Sequence, residues 1–460
     1  MTARFSGFLI TILLAACSVP GGHFTAASRN SLELPARFDG SAPPVPELVS
    51  SLRQVFPSRE MSGLITRALS RNPDLRASAA RLEEAGFSTR RAQALLSPSL
   101  SANSGVSRSR SNFAGSGLGA RSFITERYSA TLDAQWELDV WGRIRAGVTA
   151  ASADQQAAAA DYAAARQSIA AQVAQAYFEL VGVTQQIELS QRSLESFLST
   201  EKLVNRRFEA GLAGLGDVNL ATTDVERVRA ELSSRRDSRD RAARSLSALT
   251  GAYPGSGLSA SAFPSLRRTV PAGLPSTLLR RRPDIDAAYQ RIRAADANLT
   301  VAHASLYPSF ALTGQAGRQS GDLRGILNPS QTVWTLAGNV SAPLFAGGRL
   351  RADIGAANAR AKQALANYQS TVLTALREVE NALGSERALA SQEVSALASL
   401  KAAKSAEESV RRSFENGLVE ILSLLDAQRR AFTAEETLIT IRTARFQNRV
   451  ALALALGKAY

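Results

Sequence analysis

The chain has 460 residues, 45% of them hydrophobic, with one cysteine, two histidines and a formal net charge of +14. A single cysteine excludes an intrachain disulfide framework. The basic balance would suit a nucleic-acid binder, but the Arg residues spread along helical segments instead of clustering, so a solvated surface is the reading and no nucleic-acid partner is expected.

Residues 1–16 read as a secretory signal: Arg4 is the positive region and residues 8–14 are an apolar core too short to span a bilayer. The run Leu14-Ala15-Ala16-Cys17 resembles a bacterial lipobox, in which the cysteine is acylated and becomes the mature N-terminus. Ser18, in place of Asp, is compatible with the outer membrane. Several acyl chains there would give a stable anchor. Residues 17–58 hold six prolines and little periodicity, and read as a lipidated, extended tether.

The rest of the chain repeats itself once, at 59–250 and 276–460, across a proline- and glycine-containing linker at 251–275. Asn72-Pro73-Asp74 and Ala92, Ala94, Leu96, Pro98 and Ser99 match Arg282-Pro283-Asp284 and Ala302, Ala304, Leu306, Pro308 and Ser309, all 210 residues later. Gly142, Arg143, Arg145, Phe208-Glu209, Gly211-Leu212 and Gly251 match Gly348, Arg349, Arg351, Phe414-Glu415, Gly417-Leu418 and Gly457, all 206 later. Each copy predicts a helix, a strand, a return strand, a long helix, a Gly-Leu turn and a shorter helix.

The return strand of the first copy, predicted over 128–140, alternates strictly. Tyr128, Leu132, Trp136 and Leu138 share one face, and Ser129, Thr131, Asp133, Glu137 and Asp139 share the other. Its length suits a tilted bilayer crossing. The second copy places Trp334, Leu336, Val340 and Leu344 on one face. The outgoing strands are predicted over 99–106 and 309–317. Asp133, Glu137 and Asp139 become candidate lumen-lining acids, able to favour cationic solutes.

Long proline-free spans permit uninterrupted helices. Residues 142–209 would make roughly 100 Å of helix. Ile169, Val173, Ala176, Leu180, Val183 and Ile187, and again Val372, Leu376, Val379 and Leu383, follow a coiled-coil spacing. The shorter helices, 218–250 and 424–456, are about half as long. The first is expected to stack end to end on the helix at 276–306, the second on the N-terminal helix at 60–96. Four strands cannot close a hollow barrel, and an open edge is not viable in lipid, so several copies must share one barrel. The fold class is therefore an α+β membrane protein: long coiled-coil helices joined to a transmembrane β-barrel shared between protomers, four strands each.

The chain resembles the outer-membrane efflux factors of the TolC type, closest to the OprM-like lipoprotein branch. Cys17, the two-fold repeat, Arg281-Arg282-Pro283-Asp284, Leu306-Tyr307-Pro308, Leu344-Phe345-Ala346-Gly347-Gly348-Arg349 and the segment from Leu422 through Asp426 to Arg429 carry the likeness. The resemblance implies a homotrimer whose twelve-stranded barrel continues into an α-helical tunnel. It implies a periplasmic adaptor and an inner-membrane pump of the resistance-nodulation-division class as partners. It also implies that the face formed by Leu422, Asp426 and Arg429, at i, i+4 and i+7, points inward as a periplasmic gate. The exposed turns Gly211-Leu212 and Gly417-Leu418 would be the adaptor-docking tip, whereas Asp217 reads as a helix cap. No metal cluster, cofactor motif or catalytic arrangement stands out, so a passive duct is expected. A duct for protein or peptide secretion, or a pore-less lipid-anchored scaffold, are the alternatives.

Overall fold

The computed structural model describes residues 22–29, 35, 37–38, 56–113, 121–255, 257–260, 262–264 and 275–457. Cys17 and the signal lie outside the described residues. The helices are α1 (Phe24–Arg29), α2 (Arg59–Arg71), α3 (Pro73–Ala94), α4 (Arg143–Glu209), α5 (Leu215–Leu249), α6 (Pro275–Arg281), α7 (Pro283–Ala304), α8 (Arg349–Glu415) and α9 (Ile421–Ala455). The strands are β1 (Ser99–Phe113), β2 (Arg121–Leu138), β3 (Ser309–Ser320) and β4 (Thr332–Ser341). Two compact units each draw on both repeats: one holds 81–159 and 287–369, the other 160–286 and 370–460 with 33–80.

The first unit is built on one antiparallel sheet of order β1-β2-β3-β4. The strands outrun their apolar patterns. β2 begins seven positions before Tyr128 and ends at Leu138, not at residue 140, and β1 continues to Phe113. Pairing sets strand length, and Arg121 to Arg127 pair with β1 although their side chains do not alternate by polarity. β4 stops at Ser341, short of Leu344. The tether also departs from expectation, because α1 is held there. The Asp296 carboxylate on α7 accepts the Phe24 N–H at 3.2 Å and the Thr25 N–H at 2.7 Å, and the Thr25 hydroxyl as well.

The second unit has a core of α2, α4, α5 and α9. Ile169, Val173, Leu180, Ala243, Leu246, Phe446 and Val450 are buried in it, so the predicted seam of α4 is an interior face. Phe56 is fully buried against Phe178 (centroids 4.9 Å), and Phe178 meets Phe446 at 4.8 Å. Phe263 of the linker stacks on Phe446 at 4.7 Å. Each such ring contributes roughly 1.5–3 kcal/mol of burial. The expected tether to residue 58 therefore ends in core packing at Phe56, and Ser58 caps α2 by accepting the Met61 N–H.

The long helices α4 and α8 have 67 residues each, about 100 Å by helical rise. Among the described helices none is long and apolar enough to cross a membrane. The stacking of the short helices differs from the prediction. α5 ends at Gly251, φ +69°, against the α2–α3 break, where a Cβ would lie 2.5 Å from the Arg71 carbonyl oxygen. Asn72 Nδ2 donates to Leu249 O at 2.9 Å. In the second copy Arg282 Nη1 donates to Ala455 O at 3.2 Å, and Gly457 lies against Arg281. Each short helix thus ends on the break of its own repeat, not on the other repeat. The break supplies donors to the orphan carbonyls of the helix end.

Candidate functional site

Pairing aligns residue parity across all four strands: Leu100↔Ala134, Ala134↔Gly314 and Gly314↔Leu336. Even positions therefore share one face. It carries Leu100, Val106, Leu132, Trp136, Leu312, Trp334, Leu336 and Val340, all exposed, with Trp334 at 77%. Further along the first hairpin this face turns polar, with Arg108 and Glu126 paired at 3.2 Å. The odd face carries Ser101, Asn103, Thr131, Asp133, Gln315, Thr335 and Asn339. A monomer cannot leave such an apolar sheet face in water without an interacting surface.

Asp133 is tied to three strands. It accepts Asn103 Nδ2 at 2.6 Å, Gln315 Nε2 at 2.7 Å and Thr131 Oγ1 at 3.1 Å. Glu137 is held bidentately by Arg143 Nη2, both oxygens at 2.8 Å. Asp139, expected beside them on the wet strand face, lies beyond the end of β2. Its carboxylate accepts the Ile144 and Arg145 N–H groups, both at 2.9 Å, and Arg145 Nε at 3.0 Å, so it caps α4. Burial raises its pKa, but the two backbone bonds and the Arg145 guanidinium outweigh that and hold it below 3.8. The alternation runs two residues beyond the strand, to residue 140, just before the turn at Gly142 (φ +75°). Trp141 stands in the sequence where the strand pattern stops, and the structure gives it a packing role. It stacks on Tyr307 at 5.1 Å and donates to Pro308 O at 2.7 Å, joining the base of β2 to the start of β3.

Gly211 and Gly417 have φ of +74° and +75° with open space around them, so the left-handed backbone alone calls for glycine. Leu212 N–H donates to Arg207 O at 2.7 Å and Gly211 N–H to Phe208 O at 2.9 Å. The second turn repeats this from Leu418 to Ser413 O and from Gly417 to Phe414 O. That is the paired-bond helix stop known as the Schellman motif. Leu212 and Leu418 project, 77% and 75% exposed. Arg207 ties the two turns together. Its Nη2 donates to Phe414 O at 2.6 Å and to Glu415 O at 3.2 Å, and the guanidinium sits 4.2 Å from the Phe414 ring. Its repeat equivalent is Ser413, so no recurring pattern marked it. Asp217 contributes to its cap from the third helical position, accepting the Gly214 N–H at 3.0 Å; α5 starts three residues earlier than its apolar pattern.

Leu422, Asp426 and Arg429 occupy one side of α9, with Leu424, Leu425 and Gln428 buried on another. Leu422 is exposed. Asp426 pairs with Arg430 at 2.7 Å, and Arg429 lies 3.9 Å from Asp224 of α5. Gln428, not singled out by sequence, donates to Ser196 Oγ at 3.0 Å and Thr200 Oγ1 at 2.9 Å and fixes the rotation of α9 against α4.

A family model described as outer membrane efflux protein matches residues 64–252 and 274–458. The probable efflux pump outer membrane protein TtgC of Pseudomonas putida is 31% identical over 414 residues, covering 88% of this chain and 84% of TtgC. The cation efflux system protein CusC of Escherichia coli is 27% identical over 459 residues, covering 98% and 97%. The solved structure of the outer-membrane channel OprN superposes with a TM-score of 0.86 at 28% identity, over 93% of this chain and 97% of that one.

Proposed function

The chain belongs to the outer membrane efflux protein family, and from that premise we propose that it is the passive, trimeric exit duct of a tripartite pump for small molecules. The observation that carries the proposal is the two-faced sheet with free edges at β1 and β4. The even face meets lipid, the odd face lines water, and further copies complete the barrel. Acylated Cys17 anchors the chain in the outer membrane. The Gly211-Leu212 and Gly417-Leu418 turns dock a periplasmic adaptor, which couples the duct to an inner-membrane pump of the resistance-nodulation-division class. Leu422, Asp426 and Arg429, repeated by symmetry, form rings that constrict the entrance. Asp133 and Glu137 face the lumen, whereas Asp139 serves the strand-to-helix junction. The chain carries solutes without chemistry of its own.

The test is purified protein in planar bilayers, with a strain lacking the gene assayed for drug and metal-ion susceptibility. Single-channel conductance together with raised susceptibility is expected. A preparation that never conducts, or a deletion that leaves every susceptibility unchanged, would sink the reading.

A further inference from the structure

β2 runs past its last partner on β1. Ser99↔Gln135 closes that pairing, yet β2 continues to Leu138 because β3 holds it through Leu138↔Phe310. β4 has no such continuation. It stops at Ser341, which is its last partner on β3 and the repeat equivalent of Gln135. Beyond it Leu344 and Phe345 stand 97% and 93% exposed. Leu344 is the repeat equivalent of Leu138, and Leu100, 71% exposed on the other free edge, is the equivalent of Phe310.

We propose that residues 342–344 extend β4 when a second copy of this chain lies against it, and that this contact copies the β2–β3 register. The proposal rests on the reading that copies share one barrel. Moving β2 forward by 206 and β3 back by 210, the offsets of the repeat, turns Gln135↔Thr313 into Ser341 facing Asn103 of the next copy. It turns Leu138↔Phe310 into Leu344 facing Leu100 of the next copy. Even residues then meet even residues, so the apolar face continues unbroken and the two exposed leucines cover each other. A slip of one residue would turn every side chain to the wrong face. A slip of two would set Leu344 opposite Pro98 or Ala102. The match holds at the base of the sheet. Farther out, a Cβ on Gly317 would run into the Ala130 carbonyl oxygen and lie 2.6 Å from the Thr131 Cα, and its equivalent is Ser107, so the contact departs from the β2–β3 geometry there.

Cysteine pairs in the full chain, oxidised in isolated outer membranes and read on non-reducing gels, test the register. Directly opposite residues lie about 4.5–5.5 Å apart, within disulfide reach, whereas diagonal ones at about 7–8 Å are beyond it. The pairs are Ser341→Cys with Asn103→Cys, and Leu344→Cys with Leu100→Cys. Ser341→Cys with Ser101→Cys or with Gly105→Cys are the controls. Cross-linked oligomer is expected from both pairs and loss of that band in both controls. A dominant band in either control overturns the register. A band at Ser341 with none at Leu344 overturns the extension. No band in any pair, from protein that native mass shows to be oligomeric, overturns the register alone. The same blank from a single-copy chain overturns the shared barrel itself.

Discussion

Arg207→Ala should loosen the second helix turn while leaving the rest of the chain in place. The guanidinium donates to two carbonyls at the end of α8: Phe414 O at 2.6 Å, which also accepts the Gly417 N–H at 3.0 Å, and Glu415 O at 3.2 Å. A charged hydrogen bond contributes about 1.5–3 kcal/mol, and partial exposure of this one brings the expected loss to about 2 kcal/mol, with the stacking on Phe414 included. Local opening of the turn then becomes about 30-fold more frequent. Hydrogen exchange followed by mass spectrometry reads this directly on peptides spanning 412–420. Arg207→Lys keeps the charge but loses the planar fork and the stacking, so it should fall between the parent and Arg207→Ala. Unchanged exchange at 412–420 in Arg207→Ala, with the chain still assembled, would refute the reasoning. Global acceleration across α2 and α5 would refute it equally, because the effect would then not be local.

Asp426→Ala with Arg429→Ala should raise passive leak of large antibiotics into cells. The Asp426–Arg430 pair is exposed and is expected to contribute under about 1 kcal/mol, and buried Asp224 keeps Arg227 at 3.1 Å when Arg429 is lost, so expression and assembly should hold; parental leak would exclude these side chains as the constriction. Asp139 has a folded pKa depressed below the ordinary value of 3.8, so its stabilisation is present above that value and is lost as pH falls through the folded one. Asp139→Asn should therefore flatten the acid dependence of exchange in the first turn of α4, and cost about 1 kcal/mol near neutrality. Gly211→Ala should cost about 1–2 kcal/mol, the left-handed backbone penalty alone. Gly251→Ala, whose Cβ would meet the Arg71 carbonyl, should cost clearly more in resistance of the α5 end to proteolysis; equal effects would show that the close approach is not there.

Two kinds of pattern survived intact from sequence to structure. Period-two alternation in Leu132 to Leu138 and the three-four spacing from Ile169 to Val183 each describe which side of a single element is apolar, and a local backbone settles that. Gly211 and Gly417 were likewise legible, since a helix stop is written within six residues. Pairing partners were not. Arg207 reaches Phe414 across 207 positions, Asp296 holds Thr25 across 271, and Asn72 reaches Leu249 across 177. Nothing in a window of any length marks those residues before the chain has folded.

The repeat offsets show the same division. From residue order alone they predicted two copies, their helices and their strands, because identical local sequence encodes identical local structure. They do not say which short helix meets which break, and the pairing that lengths suggest joins the wrong copies. Length constrains only whether elements can stack; Gly251 against Arg71 and Gly457 against Arg281 show what chooses between equal lengths. Strand ends obey the same physics. Alternation continues on paper through Asp139, but a strand ends where its neighbour stops offering hydrogen bonds, and the carboxylate was left free to cap a helix instead.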